Sequence, residues 1–119
     1  MKYIYILYCF IACINTISAQ VVINQSKCFG GSGLDYAEHY CLTSSGGYLV
    51  CGCTTSMDGD VSASISGGVD IWILKLNSAL NIQSSYLYGG SVEDCALGII
   101  EFSPNIFIVA GITNSPDWP

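Results

Sequence analysis

The sequence predicts an all-β protein of β-propeller type, built from four-stranded antiparallel blades. Three observations predict it. The phrase "FGGSGLDYA" (residues 29–37) returns as "YGGSVEDCA" (residues 88–96). Apolar runs of strand length, bounded by Gly, Ser, Asn, Asp or Pro, fill the chain around these phrases. No stretch beyond residue 19 carries a helical period.

The repeat is extensive. Residues 29–58 align without a gap on residues 88–117. The identical pairs are Gly30/Gly89, Gly31/Gly90, Ser32/Ser91, Asp35/Asp94, Ala37/Ala96, Ser44/Ser103, Val50/Val109, Gly52/Gly111, Thr54/Thr113, Ser56/Ser115 and Asp58/Asp117. That is 11 of 30 pairs, where background residue usage gives roughly 2 by chance. A fixed period of this size marks a propeller, a solenoid or an array.

Within one period the strands are read in order. "DIWILKLN" (70–77) is β-branched and aromatic and follows a turn-like "SGG". "NIQSSYLYGG" (81–90) alternates and ends on a Gly pair. "DCALGIIEF" (94–102) and "NIFIVAGIT" (105–113) complete the four strands of one blade. "SSGG" (44–47) and "SPN" (103–105) read as hairpin loops. "YLVCGC" and "FIVAGI" are apolar at odd and even positions alike, so each needs cover on both faces, as stacked blades supply.

The chain holds about one and a half to two blades: repeat 1 over about 29–87, and repeat 2 over about 88–119, broken off before its own "DIW" strand. Ring closure takes about four blades or more, and an array takes about three units. The chain therefore reads as a fragment of a larger propeller. The other reading is a half-ring piece that assembles with copies of itself.

Residues 1–19 read as a secretory signal peptide: Lys2, an apolar run over 3–14, then small residues ending Ser18-Ala19. Cleavage before Gln20 leaves residues 20–119 as the repeat region. A lipoprotein signal, with "FIAC" placing Cys13 for lipid attachment, is the alternative. No other segment has the length and apolarity of a membrane span. Without the leader the chain keeps two lysines against nine acids, a formal charge of −7. Nucleic acid is not expected as a partner and anionic membrane surfaces are disfavoured, because both draw on clustered cations.

Five cysteines follow the leader: Cys28, Cys41, Cys51, Cys53 and Cys95. An odd number leaves at least one unpaired or bonded elsewhere. In the repeat alignment Cys41 lies over Ile100, Cys51 over Ala110, Cys53 over Ile112 and Cys95 over Tyr36. Apolar or aromatic counterparts mark these cysteines as small buried hydrophobes. A Cys41–Cys51 bridge across the hairpin is the disulfide alternative. Cys51-Gly52-Cys53 lacks the spacing of a zinc pair, and the lone His39 lies over Gly98.

The carboxylates are the remaining candidates. Asp35 and Asp94 each follow a Gly-Gly-Ser turn, after Gly30-Gly31 and Gly89-Gly90. A catalytic group is not duplicated in every blade, so a turn-capping carboxylate that accepts backbone N–H bonds explains the recurrence. Asp58 and Asp60 suggest calcium by their spacing, but the twelve-residue ligand pattern is absent and a structural turn is the competing reading. Trp72, between Ile71 and Ile73, reads as core rather than a sugar platform, and Lys75 as a strand-end or edge charge. No Ser-His-Asp or Cys-His set survives the alignment, so no catalytic residue and no cofactor is expected.

Taken together, "YGGS..D.A", "GYLVCGCTTSMDGDVS" and "GGVDIWILKLNSALNIQSSYLYGG" resemble the propeller-like repeats of secreted Bacteroidetes surface proteins. The matching residues are Gly46, Gly47, Tyr48, Gly52, Thr54, Ser56, Asp58, Gly59, Asp60, Val61, Asp70, Trp72, Lys75 and Leu76. The resemblance covers about residues 27–117. In the second copy "SPN" replaces "SSGG", and "SPDWP" stands where "SMDGD" stood. The resemblance implies extracellular repeats ahead of a C-terminal secretion sorting domain, in some cases on a lipoprotein. The expected function is a non-catalytic, secreted or surface-exposed binding or spacer module. Its partners are expected to be a protein or glycan, and its own neighbouring blades or further copies. The alternative is accessory repeats of an extracellular hydrolase whose catalytic part lies elsewhere.

Overall fold

The computed structural model describes residues 23–61 and 67–117. The expected leader, its cleavage at Ala19 and the lipid-attachment alternative at Cys13 lie outside the described residues. The protein is all-β, with no helix among the described residues. Six strands follow in order: β1 (Asp35–Leu42), β2 (Tyr48–Thr54), β3 (Asp70–Leu76), β4 (Ile82–Tyr88), β5 (Asp94–Ser103) and β6 (Ile106–Thr113).

β1 to β4 form an antiparallel meander, and β5 with β6 forms a second, two-stranded sheet. Neither sheet closes into a ring among the described residues. The four runs over 70–113 that read as one blade are in fact divided between the two sheets. β3 and β4 complete the first, while β5 and β6 open the second. The break falls at Gly89-Gly90, where the chain leaves one sheet to start the other. Strand-length patterning alone identifies strands but not their phase within a period; the pairing β2–β3 puts the division where the repeat bounds of about 29–87 and 88–119 meet.

The turns follow their residues. Gly46 adopts φ 82° between β1 and β2, where Thr43 N donates to Gly47 O (2.9 Å) and Gly46 N donates to Thr43 O (2.9 Å). Asn105 takes φ 64° in the two-residue link from β5 to β6, a conformation Asn tolerates well. Between β3 and β4, Asn77 Oδ1 accepts from the N–H groups of Ala79 (3.0 Å) and Asn81 (2.9 Å).

Two apolar layers flank the first sheet. On one face, Leu49, Cys51, Ile71 and Ile73 pack against Ala96, Ile99 and Phe107 of the second sheet. On the other, Trp72, Leu74 and Leu76 meet Val61, Phe29, Leu80 and Leu87, supplied by the flanking loops and β4. Burying a side chain the size of Leu49 or Ile99 stabilises by roughly 1.5–3 kcal/mol. β2 is accordingly covered on both sides. β6, with a matching pattern, is left largely exposed: only Phe107 is partly buried, and Ile108 is 50% and Ile112 57% exposed. Trp72 is core, and its Nε1–H donates to Ser85 Oγ at 2.9 Å. Lys75 sits near the end of an interior strand rather than an edge, and its Nζ donates to Asn105 Oδ1 of the second hairpin at 2.8 Å.

The cysteine expectation needs correction. Cys53 and Cys95 form a disulfide that ties β2 to β5, with a Cα–Cα distance of 4.9 Å, inside the usual range. Cys28, Cys41 and Cys51 are free thiols, so the Cys41–Cys51 bridge is not made. β1 and β2 place His39 opposite Cys51 and Leu49 opposite Cys41, so those two cysteines are diagonal neighbours.

The sequence separation across the disulfide is 42, and closing a loop of that size stabilises by roughly 3–4 kcal/mol. Cys95→Ser should lower the urea-unfolding free energy by about that amount. Non-reducing peptide mapping should link Cys53 to Cys95 and leave Cys41 and Cys51 free to alkylate; a Cys41–Cys51 peptide would contradict the structure.

Candidate functional site

Most of the residues that recur in both repeats converge on one place per repeat. In the first, the loop over 30–34 runs past the segment over 54–60. Five successive backbone N–H groups of this loop each donate to a side chain. Gly30 N donates to Asp60 Oδ2 (3.1 Å) and Gly31 N to Asp35 Oδ2 (2.9 Å). Ser32 N donates to Asp58 Oδ1 (2.7 Å), Gly33 N to Ser56 Oγ (2.9 Å) and Leu34 N to Thr55 Oγ1 (2.7 Å). Asp35 is the hub. It also accepts from Thr54 Oγ1 (2.5 Å) and Ser56 Oγ (3.0 Å).

The second repeat builds the same clasp from the same positions. Gly90 N donates to Asp94 Oδ2 (2.7 Å), Ser91 N to Asp117 Oδ1 (2.9 Å) and Val92 N to Ser115 Oγ (3.0 Å). Ser115 Oγ donates onward to Asp94 Oδ2 at 2.8 Å. The backbone bond Thr55 N to Leu34 O (2.8 Å) returns as Asn114 N to Glu93 O (2.9 Å). A loop that cannot pair with a strand must satisfy its N–H groups some other way, and here side chains do it.

Two glycine positions are fixed by this closeness. A Cβ on Gly90 would meet Ser115 Cβ at 2.6 Å and Asp117 Oδ1 at 2.7 Å, and one on Gly31 would strike Asp58. A Cβ on Gly52 would strike the Tyr36 carbonyl, and one on Gly111 the Cys95 carbonyl at the same place in the second hairpin. Gly89 lies against the carboxylate of Asp70.

The electrostatics follow the bonding. Burial opposes ionisation of Asp35, yet the Thr54 hydroxyl, the Gly31 N–H and the Ser56 hydroxyl hold its carboxyl below the usual range. Asp94 behaves alike: burial is outweighed by the nearby Thr113 hydroxyl, Gly90 N–H and Ser115. The Ser91 N–H and hydroxyl lower Asp117. These are carboxylates held ionised as acceptors, not acids poised to give up a proton.

Asp58 and Asp60, the calcium candidates, each spend an oxygen on a backbone N–H of the Gly-Gly loop. Among the described residues no group of three or more His, Cys, Asp or Glu side chains is arranged to hold a metal ion. His39 Nδ1 accepts from Ile99 N at 3.4 Å, between the sheets. Burial pushes the Cys51 thiol up, the wrong direction for a nucleophile. Sequence reasoning gave Asp35 and Asp94 a local turn role and missed their long-range partners. The signal was present: Thr54, Ser56 and Asp58 are repeated at constant offset from Asp35 and the loop ahead of it.

Concave surface lies elsewhere. A hollow of about 570 Å³ opens between β6 and the β3–β4 hairpin, lined in part by Ile71, Ile73, Tyr86, Tyr88, Val109 and Gly111. The rings of Tyr86 and Tyr88 stack 6.5 Å apart along its wall. A smaller hollow of about 190 Å³ lies on the opposite face of the first sheet beside Lys27, Phe29 and Trp72. Comparison with protein-family models, curated proteins and solved structures finds no match to this chain.

Ser115→Ala leaves the Val92 N–H and an Asp94 oxygen short of a partner and should cost about 1–3 kcal/mol in urea unfolding. Asp35 and Asp94 have lower pKa values folded than unfolded. Their stabilisation is therefore complete above the unfolded value near 3.9 and is lost as pH falls through the folded values. The urea midpoint should stay flat from about pH 7 to 5 and drop below about pH 4; Asp94→Asn should make that drop shallower.

Proposed function

We propose that the chain is a non-catalytic repeat module of β-propeller type that works outside the cell, secreted or held at its surface, as a binding or spacing unit. One observation carries this reading above the others. Every carboxylate that recurs in both repeats is spent on the backbone of its own loop, which leaves no recurring group to act on a substrate.

The stacking sense supports the propeller type. The first sheet offers Leu49, Cys51, Ile71 and Ile73 to its neighbour. The neighbour answers with Ala96, Ile99 and Phe107, which occupy the repeat positions of Ala37, Tyr40 and Tyr48. In the first sheet those positions pair with Gly52, Val50 and Leu76, on the opposite face from Leu49 and Cys51. Each unit thus uses one face for the unit after it and the other for the unit before, which is how blades follow one another. The Cys53–Cys95 disulfide suits an oxidising compartment and so supports export. The acidic surface and the clasps, five amides in the first repeat and three in the second, which stiffen exposed loops, suit display to a protein or glycan.

The test has two readouts. Expressed in an exporting host, the product should appear in the medium or on the surface and begin at Gln20 by mass spectrometry; a lipidated Cys13 identifies the surface-anchored form of the same module. Purified, it should show no turnover on glycoside, ester or peptide substrates. Turnover abolished by Asp35→Asn or Asp94→Asn would overturn the proposal.

A further inference from the structure

We propose that the hollow beside β6 is an acceptor for an extended strand, which pairs antiparallel with β6 and carries an Asp-x-Trp-x-Leu-x-Leu alternation. The template is inside the molecule. β6 repeats β2, and β2 is paired on one side with β1 and on the other with β3. That second pairing sets Thr54 opposite Asp70, Gly52 opposite Trp72, Val50 opposite Leu74 and Tyr48 opposite Leu76. β6 presents Thr113, Gly111, Val109 and Phe107 at the corresponding positions. It is paired with β5 only, so among the described residues its second edge has no strand beside it.

The hollow lies along that edge. Val109, Gly111 and Thr113 form one side, and Ile73, Tyr86 and Tyr88 form part of the facing wall. Tyr86 and Tyr88 are 42% and 49% exposed despite their place on an apolar wall. In the first sheet Trp72, Leu74 and Leu76 all point to the face that carries Val50 and Tyr48. In the second sheet that face, with Ala96, Ile99 and Phe107, looks onto the first. A strand of the same type on β6 would therefore direct its Trp and Leu side chains into the hollow. Gly111 has no side chain to obstruct the indole, as Gly52 has none beside Trp72. A strand added to an exposed edge gains main-chain hydrogen bonds for affinity and alternate side-chain pockets for specificity. The occupant is the third strand of a further repeat of this same kind, with the Asp-x-Trp-x-Leu-x-Leu alternation that pairs with β2; this rests on the repeat reading of the fold and is independent of catalysis.

The experiment titrates the full chain with a fluorescein-labelled peptide of residues 67–77, GGVDIWILKLN. Saturable binding is expected, with slowed amide hydrogen exchange confined to β6. The peptide carrying Trp72→Ser, and the chain carrying Val109→Glu, should each bind about tenfold more weakly or worse, a loss of about 1.4 kcal/mol. Val109 is 37% exposed, so Val109→Glu should leave the circular dichroism unchanged. No saturable binding, or binding that protects β1 or β4 instead, overturns the proposal. So does a concentration-dependent dimer whose β6 amides are already protected without peptide, since the occupant is then a second copy. Substrate turnover would count against the module reading while leaving strand binding untouched, so the two failures are distinguishable.

Discussion

The bond between an aspartate carboxylate and the N–H of the second glycine, Asp35 to Gly31 and Asp94 to Gly90, organises each repeat. The aspartate is the first residue of its hairpin, and the serine that also bonds it lies just past the hairpin's end. One carboxylate therefore joins the chain entering the hairpin to the chain leaving it. The loop ahead of it cannot use a neighbouring strand to satisfy its amides, and the charged acceptors cost little because they remain ionised and hydrogen-bonded. Most of the identities between the two repeats are participants: the glycines that allow close approach, the serine and aspartates that accept, and the threonine that caps the hub. Gly52 and Gly111 belong to the same account, since each lies against a carbonyl of the preceding strand.

With the loops fixed, the sheets can use both faces. The first sheet is apolar on each side, and neither side is left to solvent over its middle strands. The short parallel bridge Val69 to Glu93, with Asp94 N donating to Val69 O at 2.8 Å, brings the start of β5 to the first sheet. The disulfide then holds β2 and β5 together within a few residues of that point. At the far end Glu101 accepts from Ser44 N, so the second sheet braces the first hairpin's turn. The second sheet's outer face, with Ile100, Ile108 and Ile112 exposed, has the residues of a covered face without the cover.

Much of this was legible in the sequence because it rests on local rules. Gly, Asn and Ser punctuation located the turns at 44–47 and 104–105, and apolar runs located the strands to within two residues. The phase of the period was legible from the repeat, whose bounds at about 29–87 and 88–119 match the division between the sheets, but not from strand runs alone, which grouped 70–113 as one blade. Four consecutive strands can be divided into blades at any hairpin, and the choice depends on β3 pairing with β2 across a long loop. The disulfide was hidden for a related reason. Cys53 and Cys95 align with Ile112 and Tyr36, so the repeat made both resemble ordinary packing residues, and their meeting depends on how one sheet sits on the next. The clasp was half legible. Asp35 beside a Gly-Gly-Ser turn pointed to capping, but Ser56 and Asp58 contribute from more than 20 residues away.

Side chains hold the loop amides, and residue-resolved amide exchange reads this out residue by residue. Gly31, Ser32 and Gly33, together with Gly90, Ser91 and Val92, should exchange slowly although they lie in loops outside any strand. Substituting Asp58 with Ala should release Ser32 first and leave the second repeat's amides slow. Exchange at the rate of an open, solvated loop in both repeats of the native chain would contradict it.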